Sequence, residues 1–217
     1  MTTPRFDLVI LDWDGTVADS TGIIVDAVIS AAEGVGVAAP PKELILRTLG
    51  LGLNQLLIKL FSHLPHGLLE KIAEGYRSHC HANEGNSYLF DGVKEGIERL
   101  YQHKCKLAVA TGKSRKELKF ALQDTELERY FCSTKTVDEC FSKPHPHMIE
   151  AILEETKIPA KRSVIVGDTH YDLEMGRNAN IQTIAVTYGA QTKDVLLSFS
   201  PLGCFDSFIE VVDFLLP

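Results

Sequence analysis

Four short apolar runs, each cut off by glycine next to a polar or acidic residue, constrain this chain more than any other feature. Residues 6–11 stop at Asp12-Trp13-Asp14-Gly15-Thr16, residues 106–110 at Thr111-Gly112-Lys113, residues 163–166 at Gly167-Asp168, and residues 181–186 at Thr187-Tyr188-Gly189. Near-continuous apolar strands belong to parallel sheets buried on both faces. Between the runs lie stretches with apolar residues at helical spacing, at 93–103, 115–125, 147–157 and 172–179, and residues 131–134 could add one more short strand. The alternation is the βαβ rhythm of a doubly wound α/β sheet.

Residues 21–86 break that rhythm. They are strand-poor and helix-patterned, with breakers at Gly34-Val35-Gly36, Pro40-Pro41, Gly50-Leu51-Gly52 and Pro65-His66-Gly67, and read as several helices inserted after the first strand. The length of 217 residues fits one domain carrying a sizeable insertion. With 45% apolar and 24% charged residues, the composition is that of an ordinary globular chain.

The net charge of −7 comes without any Lys/Arg block of the kind that tracks a phosphate backbone, so nucleic acid is not expected as a partner. Cys80, Cys105, Cys132, Cys140 and Cys204 are odd in number, scattered and never Cys-x-x-Cys, which argues against a disulfide framework or zinc and for reduced thiols. The opening Met-Thr-Thr-Pro-Arg leads straight into an apolar strand without signal-peptide pattern, and no run reaches the roughly 18 apolar residues that span a bilayer. A cytoplasmic protein, monomeric or homodimeric and without a membrane partner, is the expectation.

In an open parallel sheet, ligands bind beyond the carboxyl ends of the strands. Asp12, Asp14, Thr111, Asp168 and Asp172 all fall there. Two carboxylates two residues apart in extended chain can point to one side, with Trp13 pointing away, and that is costly unless a cation or shared proton lies between them. Oxygen-only ligands favour Mg²⁺. Phosphoryl transfer needs an in-line nucleophile, a proton donor and positive charge around the equatorial oxygens. Asp12 would attack phosphorus, Asp14 would serve as acid and then base, and Thr111, the amides after it and Lys143 would hold the phosphoryl oxygens. Asp168 would complete the metal site, with Asp172 as a ligand, a supporting group, or simply a helix-start carboxylate. Gly15, Thr16, Gly112 and Lys113 are candidate substrate contacts.

These segments, Asp12-Trp13-Asp14-Gly15-Thr16, Thr111 after Leu107-Ala108-Val109-Ala110, Lys143-Pro144, and Gly167-Asp168-Thr169-His170-Tyr171-Asp172 after Val164-Ile165-Val166, come in the order of four motifs. Together they resemble the haloacid dehalogenase-like superfamily, most closely its phosphoglycolate phosphatase-like branch. The resemblance implies a Rossmann-like core, here residues 1–17 and 88–217, with an all-helical cap at 18–87. It implies Mg²⁺ held by the Asp12 carboxylate, the Asp14 backbone carbonyl and Asp168. Dehalogenases and phosphonatases of the superfamily keep no acid at the place of Asp14, so its presence implies phosphate ester chemistry. The segment Arg47-Thr48-Leu49-Gly50-Leu51-Gly52-Leu53-Asn54 resembles the branch's substrate-facing loop. There Arg47 is either an anchor for a carboxylate or second phosphate, or a solvated arginine.

The implied activity is Mg²⁺-dependent hydrolysis of a small phosphorylated metabolite, phosphoglycolate-like or a sugar phosphate, through an aspartyl-phosphate on Asp12. A phosphomutase of the β-phosphoglucomutase type shares the motifs and cap position, and a binding module that has lost turnover is the alternative from another class. Lys143-Pro144-His145-Pro146-His147 has histidine where an acid is commoner in the family, and with Thr169-His170-Tyr171 it leaves the substrate open.

Overall fold

The computed structural model describes residues 4–83 and 88–216. In chain order the elements are β1 (Leu8–Leu11), β2 (Ala18–Asp19), α1 (Thr21–Gly34), α2 (Lys42–Leu46), α3 (Leu53–Leu60), α4 (His66–Ala82), β3 (Tyr88–Leu89) and α5 (Val93–Gln102). They continue with β4 (Lys106–Ala110), α6 (Arg115–Asp124), β5 (Phe131–Lys135), α7 (His147–Thr156), β6 (Ser163–Gly167), α8 (His170–Asn178), β7 (Gln182–Val186), α9 (Lys193–Leu197), β8 (Gly203–Phe205) and α10 (Phe208–Leu215). Six strands form one sheet in the order β5-β4-β1-β6-β7-β8, and every pair in it is parallel. This is the doubly wound α/β architecture that the strand rhythm predicts.

Strand periodicity explains why the apolar runs are continuous. Val9, Leu11, Leu107, Val109, Val164 and Val166 point to one face and pack with α5 and α10 through Ile97 and Val212. Leu8, Ile10, Ala108, Ala110 and Ile165 point to the other and meet Met148, Ile152 and Met175 of α7 and α8. A strand covered on both sides needs apolar side chains at every position, and each such Leu, Ile or Val contributes roughly 1.5–3 kcal/mol by its burial. Trp13 is fully buried in the first of these clusters, its ring edge-on to Phe131 at 6.4 Å.

The inserted helices α1–α4 bury their own apolar cluster, with Val28, Ile45, Leu56, Phe61 and Ile72 at its centre. α1 crosses α4 closely because Gly75 faces Ala31, where an added Cβ would come within 3.1 Å of the alanine Cβ. The chain enters and leaves this bundle through the antiparallel pair of β2 and β3, Ala18 opposite Leu89 and Asp19 opposite Tyr88. Of the division at 87/88 expected from the sequence, residues 84–87 lie outside the described residues.

Candidate active site

With β4 and β6 flanking β1, the residues that follow these strands are brought together at one edge of the sheet. Asp12 and Asp168 are buried there, and Asp172, in the first turn of α8, joins them. One carboxylate oxygen from each of the three lies within 4.8 Å of the others. Lys143, from the loop before α7, has a fully buried side chain, and its Nζ is 2.6 Å from Asp12 Oδ1 and 2.6 Å from Asp172 Oδ1. The backbone amide of Trp13 donates to the same Asp12 oxygen at 2.7 Å. Asp12 Oδ2 is buried and has no hydrogen-bond donor among the described residues.

Asp168 is held from two sides: Thr16 Oγ1 donates to its Oδ1 at 3.0 Å, and the Ala190 amide donates to its Oδ2 at 2.7 Å. Asp172 accepts from the Thr169 amide at 3.1 Å and from Thr169 Oγ1 at 2.6 Å through Oδ2, while Oδ1 takes Lys143. Asp172 thus caps its helix and anchors the lysine at once.

Burial drives the electrostatics. It pushes the Asp12 carboxyl well above the ordinary carboxylate range, the negative charges of Asp172 and Asp168 add to the rise, and Lys143 opposes it. Asp168 is pushed up to about 7, again by burial first and then by Asp172. For Lys143 burial acts to lower the ammonium, yet Asp12 and Asp172 together raise it above the usual lysine range.

With all three carboxylates ionised, the one ammonium would leave two negative charges in a buried site. An orphaned buried oxygen on Asp12 and an all-oxygen donor set fit a hard divalent cation such as Mg²⁺. The Asp14 side chain is not part of this cluster: its Oδ1 accepts from Ser20 Oγ at 2.5 Å and pairs with Lys113 Nζ at 2.9 Å. The two side chains pair with different lysines, Asp12 with Lys143 and Asp14 with Lys113. The turn between them is tight. Gly15 has φ +82°, and a Cβ there would stand 2.2 Å from Asp168 Oδ2.

Asp12 and Asp14 open onto a cavity of about 680 Å³ between the helical bundle and the sheet edge. Gly112 and Lys113 line it too. Thr111 is buried beneath, its Oγ1 accepting from the Lys113 amide at 3.2 Å and its own amide donating to the Lys135 carbonyl at 3.1 Å. Thr16 is likewise buried and committed to Asp168 rather than set in the cavity wall. Lys143 also lies behind the wall, where it orients Asp12.

Arg47 is the residue that the structure does not bring to the site. It is exposed at the end of α2, outside the cavity lining, while Leu49 to Leu53 of the same segment line the wall. The short α2 ends at that point, and Thr48 turns inward with its Oγ1 on the Ile45 carbonyl at 2.7 Å. The loop that follows seats directly on the sheet edge. Gly52 N donates to Ser142 Oγ at 2.9 Å, and a Cβ on Gly112 would meet the Leu51 carbonyl at 2.7 Å.

The strand-end reading passed over the loop after β7. Tyr188 Oη donates to the Thr16 carbonyl at 2.9 Å, and a Cβ on Gly189 would stand 2.3 Å from Asp168 Oδ2. The signal was present, since Thr187-Tyr188-Gly189 follows an apolar strand like the other three segments.

The haloacid dehalogenase-like hydrolase family model matches residues 9–186. The probable phosphatase IndB of Dickeya dadantii is 32% identical over 212 residues, 94% of this chain and 91% of that protein. The pyrophosphatase PpaX of Bacillus cereus is 26% identical over 97% of both chains. A crystal structure of a predicted phosphoglycolate phosphatase from Haemophilus somnus superposes with a TM-score of 0.88 over 99% of both chains at 23% identity, a likeness of fold. The chain belongs to the haloacid dehalogenase-like hydrolases.

Proposed function

We propose that this enzyme hydrolyses a small organic phosphomonoester with Mg²⁺ through an aspartyl-phosphate on Asp12. The observation that carries the reading is the state of that carboxylate. It lies at the floor of a cavity, one oxygen fixed by Lys143 and the Trp13 amide, the other buried and without a donor.

Asp12 and Asp168, with the Asp14 backbone carbonyl and Asp172 close by, would hold the metal. When bound, Mg²⁺ offsets the excess negative charge and draws charge from the phosphoryl oxygens. In the first step an Asp12 oxygen bonds to phosphorus as the ester P–O bond breaks, and Asp14 gives its proton to the departing oxygen. In the second, Asp14 takes a proton from water while the water oxygen bonds to phosphorus and the Asp12–phosphorus bond breaks, releasing phosphate. Ser20 and Lys113 hold Asp14 at the cavity edge for both proton transfers. The Gly112 amide would supply a donor to the phosphoryl oxygens. The bundle α1–α4 acts as a cap, which must open for product to leave.

The test is phosphate release from a panel of phosphomonoesters with magnesium, with Asp12→Asn and a chelator in parallel. Turnover that depends on both Asp12 and magnesium is expected. No release from any ester, or release that Asp12→Asn leaves unchanged, would remove the proposal.

A further inference from the structure

The cavity is longer than a two-carbon phosphoester can fill. Its lining begins at Asp12 and Asp14 and follows one face of α6, where Ser114, Glu117, Ala121 and Asp124 recur at helical spacing. From 114 to 124 that wall measures about 15 Å at the rise of a helix. Residues of α4 and its end, from Tyr76 to Asn83, also line it over about 10 Å. The volume of about 680 Å³ falls inside the range of roughly 300–1,000 Å³ typical of pockets for drug-sized ligands. An ester held with its phosphorus at Asp12 and only two carbons beyond would end near the first turn of α6.

The charges of the lining also say what kind of group it takes. Arg77 and Lys116 share it with Glu117, Asp124 and Asp138. Lys113 is paired with Asp14. Among the described residues of the lining, acidic side chains outnumber lysine and arginine, which does not favour a second phosphate or a carboxylate. Neutral amides of Asn54, Gln55 and Asn83 line the wall instead, each able both to donate and to accept.

Two aromatic rings of this wall are uncovered. Phe120 is 39% exposed and Phe141 is 65% exposed, although both line the cavity. Phe141 is backed by two imidazoles, with ring centroids at 4.7 Å for His145 and 5.4 Å for His147. Those imidazoles are themselves held: His145 Nδ1 accepts the His147 amide at 3.2 Å, and His147 Nδ1 accepts the Phe141 amide at 3.4 Å. A braced and exposed ring in a ligand cavity suits a flat partner surface.

Resting on the phosphatase reading above, we propose that the ester is a nucleoside 5′-monophosphate, with its phosphate at Asp12 and its planar base against the uncovered rings of Phe141 and Phe120. The neutral amides meet the polar edges of the base and sugar. The histidines of the Lys143-Pro144-His145-Pro146-His147 segment then serve to brace the ring, and the absence of Arg47 from the cavity follows from a leaving group that carries no second anion.

The experiment compares kcat/KM of the full chain with magnesium on nucleoside 5′-monophosphates, ribose 5-phosphate and phosphoglycolate, for the native protein and for Phe141→Ala and Phe120→Ala. Ribose 5-phosphate offers the same phosphate and sugar without a base. At least one nucleotide is expected to exceed it by tenfold or more. Phe141→Ala should lower that ratio about tenfold through KM, the size of one base–ring stacking contact. A best nucleotide no better than ribose 5-phosphate or phosphoglycolate overturns the proposal, and so does a ratio that neither variant moves. Release of phosphate from none of these esters would strike the phosphatase reading instead. The nucleotide class is then judged by calorimetric binding to Asp12→Asn, where a nucleoside monophosphate binding no tighter than ribose 5-phosphate overturns it.

Discussion

Replacing Asp168 by asparagine removes one of the three buried carboxylates and keeps its shape and hydrogen-bonding partners. The amide oxygen can accept from the Ala190 amide and the NH₂ can donate to Thr16 Oγ1, the two groups that now hold the carboxylate. In the metal-free fold Asp168 binds its proton up to about pH 7, against an ordinary value of 3.8. The folded state therefore holds more protons than the unfolded one between those values, and the stability tied to this group falls as pH rises through that window. At about 1.4 kcal/mol per pH unit, the cost is roughly 2 kcal/mol at pH 5 and roughly 4 kcal/mol at pH 8. The side chain is fully buried, so solvent does not screen the effect. For a chain of this length a difference of about 2 kcal/mol corresponds to roughly 4–8 °C in Tm. Thermal melts with a chelator should show Asp168→Asn melting above the native protein, with the gap widening by that amount from pH 5 to pH 8. Magnesium should raise the melting temperature of the native protein and leave the variant nearly unmoved. A variant that melts below the native protein at pH 8 with chelator present, or that responds fully to magnesium, would refute the reasoning.

Lys143→Met leaves buried carboxylates without their ammonium and should cost roughly 3–5 kcal/mol in chelator-treated protein at pH 7. Urea denaturation checks this, and a loss below about 1 kcal/mol would show that the lysine does not compensate the acids. Gly15→Ala places a Cβ against Asp168 at a φ of +82° and should cost about 1–3 kcal/mol. Calorimetric titration should also show weaker magnesium binding. Arg47→Ala, at an exposed position outside the cavity, should change kcat and KM by less than a factor of two on any substrate that the enzyme turns over. A larger change in KM alone would place Arg47 at the ligand after all.

The sheet was legible because parallel strands buried on both faces write themselves as uninterrupted apolar runs, and Leu8–Leu11 has no exposed position. β8 escaped notice for the opposite reason. It is three residues at the sheet edge, Gly203, Cys204 and Phe205, all half-buried, and carries no period. α10 packs Phe208, Val211, Val212 and Leu215 at helical spacing, a pattern that was readable and was passed over. At the site, Asp12, Asp168 and Asp172 were legible because strand order turns sequence neighbours of strand ends into spatial neighbours. Arg47 was not, since the direction in which a cap side chain points depends on how α2 ends. Phe120 and Phe141 carry no motif, and only the wall they share shows them.

The two lysines at the site divide the work of the two acids. Asp12 and Asp14 lie in one cavity floor, and two carboxylates there would repel if both were ionised and unpaired. Each is instead neutralised from a different direction, Asp12 by Lys143 and Asp14 by Lys113. The surroundings of the pairs differ. The Lys143 side chain is 0% exposed and has Asp172 as a second partner, so it is fixed in the protein interior and holds Asp12 in one orientation. The Lys113 side chain is 20% exposed, lines the cavity and has the Asp14 carboxylate as its ion-pair partner. A pair in that position can be met by a substrate on both its members, whereas of the Lys143 pair only Asp12 lines the cavity. Asp12 and Asp14 therefore differ in which part of the protein holds their counter-charge, although both are aspartates two residues apart.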